Sequence, residues 1–179
     1  MKEIRLHGRG GMGTVKAAEI LVYAAVRSGK YGNSIPFFGF ERQGAPVTSF
    51  VRIDDKPIRP KNQVYNPHCV VVLDPTIMNA VDVFEGITDD SVFILNTKES
   101  IKNIEIPSKV SKVGLVDGIG IALKLLGRPI TNTIMLGAFV KTTGWVNLDY
   151  VMERVREFFG ERNVEAVKKG YEMTHVFDI

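Results

Sequence analysis

Cysteine is nearly absent from this 179-residue chain: Cys69 stands alone, at the head of the apolar run Cys69-Val70-Val71-Val72-Leu73. Iron–sulfur clusters are held by several thiolates at close spacing, so the chain cannot hold one by itself. A thiol in an apolar run reads as a small buried hydrophobe rather than a reactive nucleophile. Histidine is almost as scarce, and His7, His68 and His175 show no ligand spacing, which argues against zinc. Long hydrophobic runs are missing too: no window approaches the roughly 20 apolar residues of a membrane span. Residues 1–6 alternate charge and apolarity instead of forming a secretory leader. A cytoplasmic protein without membrane contact is expected.

Charge of one sign is also lacking overall, since 23 basic residues face 20 acidic ones, and a net charge of +3 does not argue for nucleic acid. Locally the balance differs. Residues 27–61 carry Arg27, Lys30, Arg42, Arg52, Lys56, Arg59 and Lys61 against Glu41, Asp54 and Asp55, which suits either an anion or acidic-partner patch or an ordinary solvated surface. Several catalytic signatures are missing: no Gly-x-Ser-x-Gly elbow, no lysine placed as in a Walker loop, no histidine paired with a nucleophile. The isolated chain is expected to be inactive.

What is present is a sequence with 45% hydrophobic content, enough for one domain spanning 1–179 with a proper core. Residues 3–7 alternate as a strand and run into Gly8-Arg9-Gly10-Gly11-Met12-Gly13. A mostly apolar helix follows over 14–28, stopped by Gly29. Residues 31–46 show no usable period and read as an ordered loop; 47–53 read as a strand, turning at Asp54-Asp55 into a second short strand at 56–58, a β-hairpin. The all-apolar 70–73 predicts a parallel strand at the sheet centre, with Asp74 as N-cap and Pro75 at the first helical position. Further strands are expected at 92–95 and 113–116, and helices at 119–126, 133–143, 149–159 and 161–169. Strands alternating with helices predict a three-layer α/β/α domain with a largely parallel sheet and a hairpin insertion.

Glycines at the first, third and sixth positions of 8–13, after a strand and before a helix, suit a phosphate-binding turn: glycine permits close backbone approach, and the helix start favours an anion. Close packing of the helix on the sheet explains the same glycines without a ligand. A dinucleotide site also wants an acid on a second strand about 20 residues on, to hold the ribose. Around Gly32 and Asn33 there is none, and the first downstream carboxylate is Glu41. Ordinary NAD binding is disfavoured.

Four blocks then become recognisable: His7-Gly8-Arg9-Gly10-Gly11-Met12-Gly13 with Ala17-Ala18-Glu19-Ile20-Leu21, Phe38-Gly39-Phe40-Glu41-Arg42-Gln43-Gly44-Ala45-Pro46-Val47, Arg52-Ile53-Asp54-Asp55-Lys56-Pro57-Ile58-Arg59, and Ile130-Thr131-Asn132-Thr133 through Leu136-Gly137-Ala138-Phe139. In this order and spacing, together with Val71-Val72-Leu73-Asp74-Pro75, the chain resembles the gamma subunits of pyruvate and related 2-oxoacid:ferredoxin oxidoreductases over nearly its whole length. It departs from them at Met12, where the family commonly has Gln, and at Gly118 after Asp117.

The resemblance implies a Rossmann-like subunit of a hetero-oligomer in which a 2-oxoacid, coenzyme A and oxidised ferredoxin become acyl-CoA, carbon dioxide and reduced ferredoxin. It places thiamine diphosphate in the alpha and beta subunits and iron–sulfur clusters in beta and delta, with ferredoxin met through the complex. This chain would hold no redox cofactor and no catalytic residue. Its candidate binding residues are Gly8, Arg9, Gly10, Gly11, Met12, Gly13 and Arg42, either on the phosphates of coenzyme A or at the seam with the catalytic subunits. Pyruvate is the first substrate to consider and a branched-chain oxoacid the second. The alternatives are an independent nucleotide- or CoA-binding module and a nicotinamide-dependent enzyme.

Overall fold

The computed structural model of the protein describes residues 1–38 and 43–179. Seven strands form one sheet: β1 (Lys2–Arg9), β2 (Tyr31–Phe38), β3 (Pro46–Asp54), β4 (Cys69–Val72), β5 (Ser91–Asn96), β6 (Val110–Val116) and β7 (His175–Asp178). Their order is β2-β3-β1-β4-β5-β6-β7, which puts the four fully buried residues of β4 at the centre, where a continuous apolar strand belongs. β1, β4, β5 and β6 run parallel; β3 is antiparallel to both β1 and β2, so β2 points the same way as β1, and β7 is antiparallel to β6. The sheet is therefore largely parallel.

Five helices follow the sequence pattern closely: α1 (Thr14–Arg27), α2 (Gly118–Leu126), α3 (Asn132–Thr143), α4 (Leu148–Phe159) and α5 (Glu161–Met173). All five join one core cluster with the strand residues that face one side of the sheet, such as Ile4, Leu6, Val51, Cys69, Val71 and Ile94. Burying each large apolar side chain of that layer contributes roughly 1.5–3 kcal/mol. α3 lies deepest, between sheet and α5, and the crossing is possible only because Gly137 and Gly170 lack side chains. A Cβ on Gly137 would stand 2.6 Å from the Tyr171 amide nitrogen, and one on Gly170 would stand 2.8 Å from the Ile134 carbonyl carbon.

The three expected layers are there, but among the described residues the layer on the opposite face holds no α-helix. It is built from two 3-10 turns, Pro75–Asn79 and Ile101–Asn103, and from ordered loops, packed on Val70, Val72, Phe93, Leu95, Val113 and Leu115. Loops carry backbone carbonyls that a helix would have satisfied internally, so buried donors must reach them. Two arginines do this. Arg5 Nη2 donates to Val83 O (2.8 Å) and Glu85 O (2.7 Å), and Arg52, 3% exposed and paired with Glu3 at 2.8 Å, donates to Asn62 O (2.7 Å) and Gln63 O (3.0 Å). Arg52 therefore does not belong to a solvent-facing basic patch.

The predicted hairpin is relocated. Residues 56–58 form no strand; β3 instead pairs back with β2, in register from Tyr31↔Asp54 to Phe38↔Val47, where the sequence pattern suggested a loop. Gly32, Ser34 and Pro36 interrupt the apolar alternation, yet β2 is an edge strand, where a proline costs no ladder bond. The other edge strand, β7, is four residues long and mostly exposed, which leaves it without a periodic signal.

Candidate functional site

Chain leaving β1 turns to the helical face through α1, whereas chain leaving the adjacent parallel strand β4 turns to the loop face through Pro75–Asn79. Such a switch point, outside the carboxyl ends of the strands, is the usual ligand position in open α/β sheets. Residues 8–13 lie at this point, at the end of β1.

The first half of this loop is zipped to the segment before β3: Gly10 N donates to Ala45 O at 2.8 Å and Gly44 N to Gly10 O at 3.1 Å. Met12 N then closes a turn on Arg9 O at 3.1 Å, and Met12 itself is half-buried. Gly11 (φ 85°) and Gly13 (φ 75°) occupy the left-handed region that side chains disfavour. Gly8 is needed for closeness instead, because a Cβ there would overlap Thr14 Oγ1, which is buried and without a partner among the described residues.

Gly13 serves as N-cap of α1 with no side-chain cap, and no acidic residue sits in the first turn. The first N–H groups of α1 thus keep their hydrogen-bonding capacity at the positive end of the helix. Arg9, read from the sequence as an anion ligand, is already engaged: Nε lies 3.2 Å from Asp74 Oδ2, Nε and Nη2 donate to Thr76 Oγ1 at 3.1 and 2.9 Å, and Nη1 donates to Gly44 O at 3.0 Å. It braces the loop against the turn after β4. Asp74 caps that turn as its neighbour Pro75 implied, accepting from Thr76 N at 2.9 Å. Arg42 lies outside the described residues.

Sequence reasoning missed the polar seam beneath. Asn96 at the end of β5 donates from Nδ2 to Leu73 O (2.8 Å) and accepts from Gly118 N (2.8 Å), while Thr131 Oγ1 donates to the same Leu73 carbonyl (3.1 Å). Asn132, first residue of α3, reaches Gly13 O at 3.4 Å, and a Cβ on Gly13 would stand 2.9 Å from its Cγ. Gly118 is explained by the same packing, since a Cβ there would meet Asn96 Oδ1 at 3.0 Å. The block Ile130-Thr131-Asn132-Thr133 was the available signal, but nothing in its residue types tied it to the glycine loop more than a hundred residues earlier.

Burial sets the state of two further titratable groups, His7 and Cys69. Burial, with Arg5 beside it, pushes His7 down to about 3, so the ring is neutral and its Nε2 accepts from Arg5 Nε at 3.1 Å. Burial pushes the Cys69 thiol up, which makes it inert.

Among known proteins, the family described as pyruvate ferredoxin/flavodoxin oxidoreductase matches residues 3–173. The pyruvate/ketoisovalerate oxidoreductases common subunit gamma of Thermococcus kodakarensis is 50% identical, with all of both chains covered. The pyruvate synthase subunit PorC of Methanothermobacter thermautotrophicus is 51% identical over 96% of this chain and 95% of its own. The crystal structure of the pyruvate oxidoreductase subunit PORC from Thermotoga maritima superimposes with a TM-score of 0.86 at 35% identity, covering 99% of this chain and 98% of that one. With its sheet, its glycine turn and its full length matched in this way, the chain belongs to the pyruvate ferredoxin/flavodoxin oxidoreductase family.

Proposed function

We propose that residues 1–179 act as the gamma-type subunit of a pyruvate, or branched-chain 2-oxoacid, ferredoxin oxidoreductase. One observation carries this reading: about half of all positions are identical, end to end, to chains named as gamma or PorC subunits of such enzymes. In that complex a 2-oxoacid, coenzyme A and oxidised ferredoxin become acyl-CoA, carbon dioxide and reduced ferredoxin. A single buried thiol does not fit an iron–sulfur cluster, so clusters and thiamine diphosphate are assigned to alpha, beta and delta partners. The work takes place in the cytoplasm.

Within the complex, the 8–13 loop is assigned to a phosphate of coenzyme A. Support comes from the uncapped start of α1 at the switch point and from the absence of any acid in its first turn. Gly11 and Gly13 present backbone N–H groups, Gly8, Gly10 and Met12 shape the turn through close packing and their own hydrogen bonds, and Arg9 holds it in place. Arg42 is kept as a further candidate on its sequence alone, two positions before Gly44.

The test is steady-state kinetics of the assembled enzyme with dye as electron acceptor. Gly11 is exposed and in the left-handed region, where Asp and Asn are the least strained replacements. Gly11→Asp should raise KM for coenzyme A about tenfold relative to Gly11→Asn, the equivalent of ~1.4 kcal/mol, while KM for the oxoacid stays put. Equal KM for coenzyme A in the two variants removes the phosphate assignment. Failure of the tagged chain to co-purify with thiamine- and cluster-bearing subunits from its native source removes the subunit assignment.

A further inference from the structure

At the far end of the sheet from the glycine loop, two depressions of about 620 and 500 Å³ are both lined by Asp117 and Met173, and so form one groove along α2, the end of α5 and β7. We propose that this groove receives an acidic amphipathic helix from another subunit of the complex, an inference that rests on the subunit reading above. Helix α2 is the reason. Its sequence, Gly-Ile-Gly-Ile-Ala-Leu-Lys-Leu-Leu, is apolar on every side except for Lys124, and a helix of that composition is normally buried all round.

Here only one face is covered. Ile121 and Ala122 are buried, but Ile119 (40% exposed) and Leu123 (52% exposed), one turn apart, face solvent. Leu123 lines the groove together with Met173 (52% exposed), so exposed aliphatic side chains from α2 and the end of α5 meet there. Contiguous apolar surface of this kind marks a binding site for another chain. A row of apolar positions at helical spacing beside a groove matches the mode in which a partner helix lays its apolar face down.

Charge selects the partner's chemistry. Lys98, Lys102, Lys124 and Lys169 line the groove against only Glu99 and Asp117. Asp117 is occupied in capping α2, accepting from Gly120 N at 2.9 Å. Among the described residues Lys98, Lys102 and Lys124 form no ion pair, whereas Lys169 reaches Glu172 at 3.5 Å. Lysine stems flanking an apolar floor suit a helix with carboxylates along its edges, and they disfavour a second copy of this surface, which would bring like charges together.

The experiment uses the complex co-expressed with its alpha, beta and delta subunits. A zero-length carbodiimide should link Lys98, Lys102 or Lys124 to an Asp or Glu of another subunit, and α2 should exchange its amides at least tenfold more slowly than in the free chain. Leu123→Glu should lower recovery of that subunit with the tagged chain more than tenfold, while the variant's own melting temperature stays unchanged. A complex that forms but shows no such link and no protection of α2 overturns the inference and leaves the subunit reading standing. Links to a second copy of this chain overturn it as well. If the wild-type chain brings down no partner at all, both fall together.

Discussion

Gly8→Ala is the most informative single substitution, because its cost resides in one identifiable partner. The added methyl would overlap Thr14 Oγ1 and stand 3.2 Å from Thr14 Cβ and 3.5 Å from Cγ2. Both residues are buried, and Gly8 is held in the β1–β3 ladder opposite Val47, so its backbone has little room to withdraw. Overpacking of this kind costs about 1–3 kcal/mol. Thr14→Ala removes the overlapping oxygen, and that oxygen is a buried hydroxyl without a partner, so its loss should be close to neutral or stabilising by up to ~1 kcal/mol.

In the double variant the nearest atom is then a carbon at 3.2 Å, tight but tolerable after a shift of a few tenths of an ångström. The expected coupling is therefore about 1–2 kcal/mol, with the double variant more stable than Gly8→Ala alone. Denaturant unfolding of the purified wild type, both single variants and the double variant measures it directly. If the two single costs simply add, the Gly8–Thr14 packing is not the reason for a glycine at this position.

His7 and Gly170 yield two more tests. Below pH 6.5 the unfolded imidazole takes up a proton that the buried one refuses until about 3, so stability should be complete above that range and fall as pH drops through it. The slope approaches ~1.4 kcal/mol per pH unit. His7→Gln, which retains an acceptor for Arg5 Nε, should flatten the denaturation midpoint between pH 4 and 6.5; an unchanged decline in the variant refutes the assignment. Gly170→Ala places a Cβ 2.8 Å from the Ile134 carbonyl carbon and 3.0 Å from its Cα, so α3 and α5 must part, at more than ~3 kcal/mol. Gly127→Ala, in the left-handed region with open space around it, should cost only ~1 kcal/mol, and similar melting temperatures for the two would show that the helix crossing tolerates separation.

Strands and helices were legible wherever a periodic apolar pattern met a clear stop. The run 69–73 announced the sheet centre, and Gly127 closed α2 as a left-handed cap. β2 escaped because Pro36 and two small residues mask its alternation, and only its edge position makes them harmless. β7 escaped because only Phe177 of its four residues packs on the core, too short a pattern to show a period. For the candidate site, the glycine turn was legible in the sequence but the partners of Arg9 were not, since Thr76 and Asp74 meet it only when β1 and β4 lie side by side.

By itself the sequence determined the class of the fold, the glycine turn at 8–13 between a strand and a helix, and the presence of a single thiol in an apolar strand. These are local or compositional properties, carried by neighbouring residues or by simple counts. Tertiary structure alone decided that all five helices share one face, that arginines satisfy the loops on the other, that Asn96 and Thr131 meet at the Leu73 carbonyl, and that Asn132 reaches the glycine loop. It also decided that α2 is left half-covered. Each of these follows from which strands become neighbours, and strand neighbours far apart in the chain leave no mark in local periodicity.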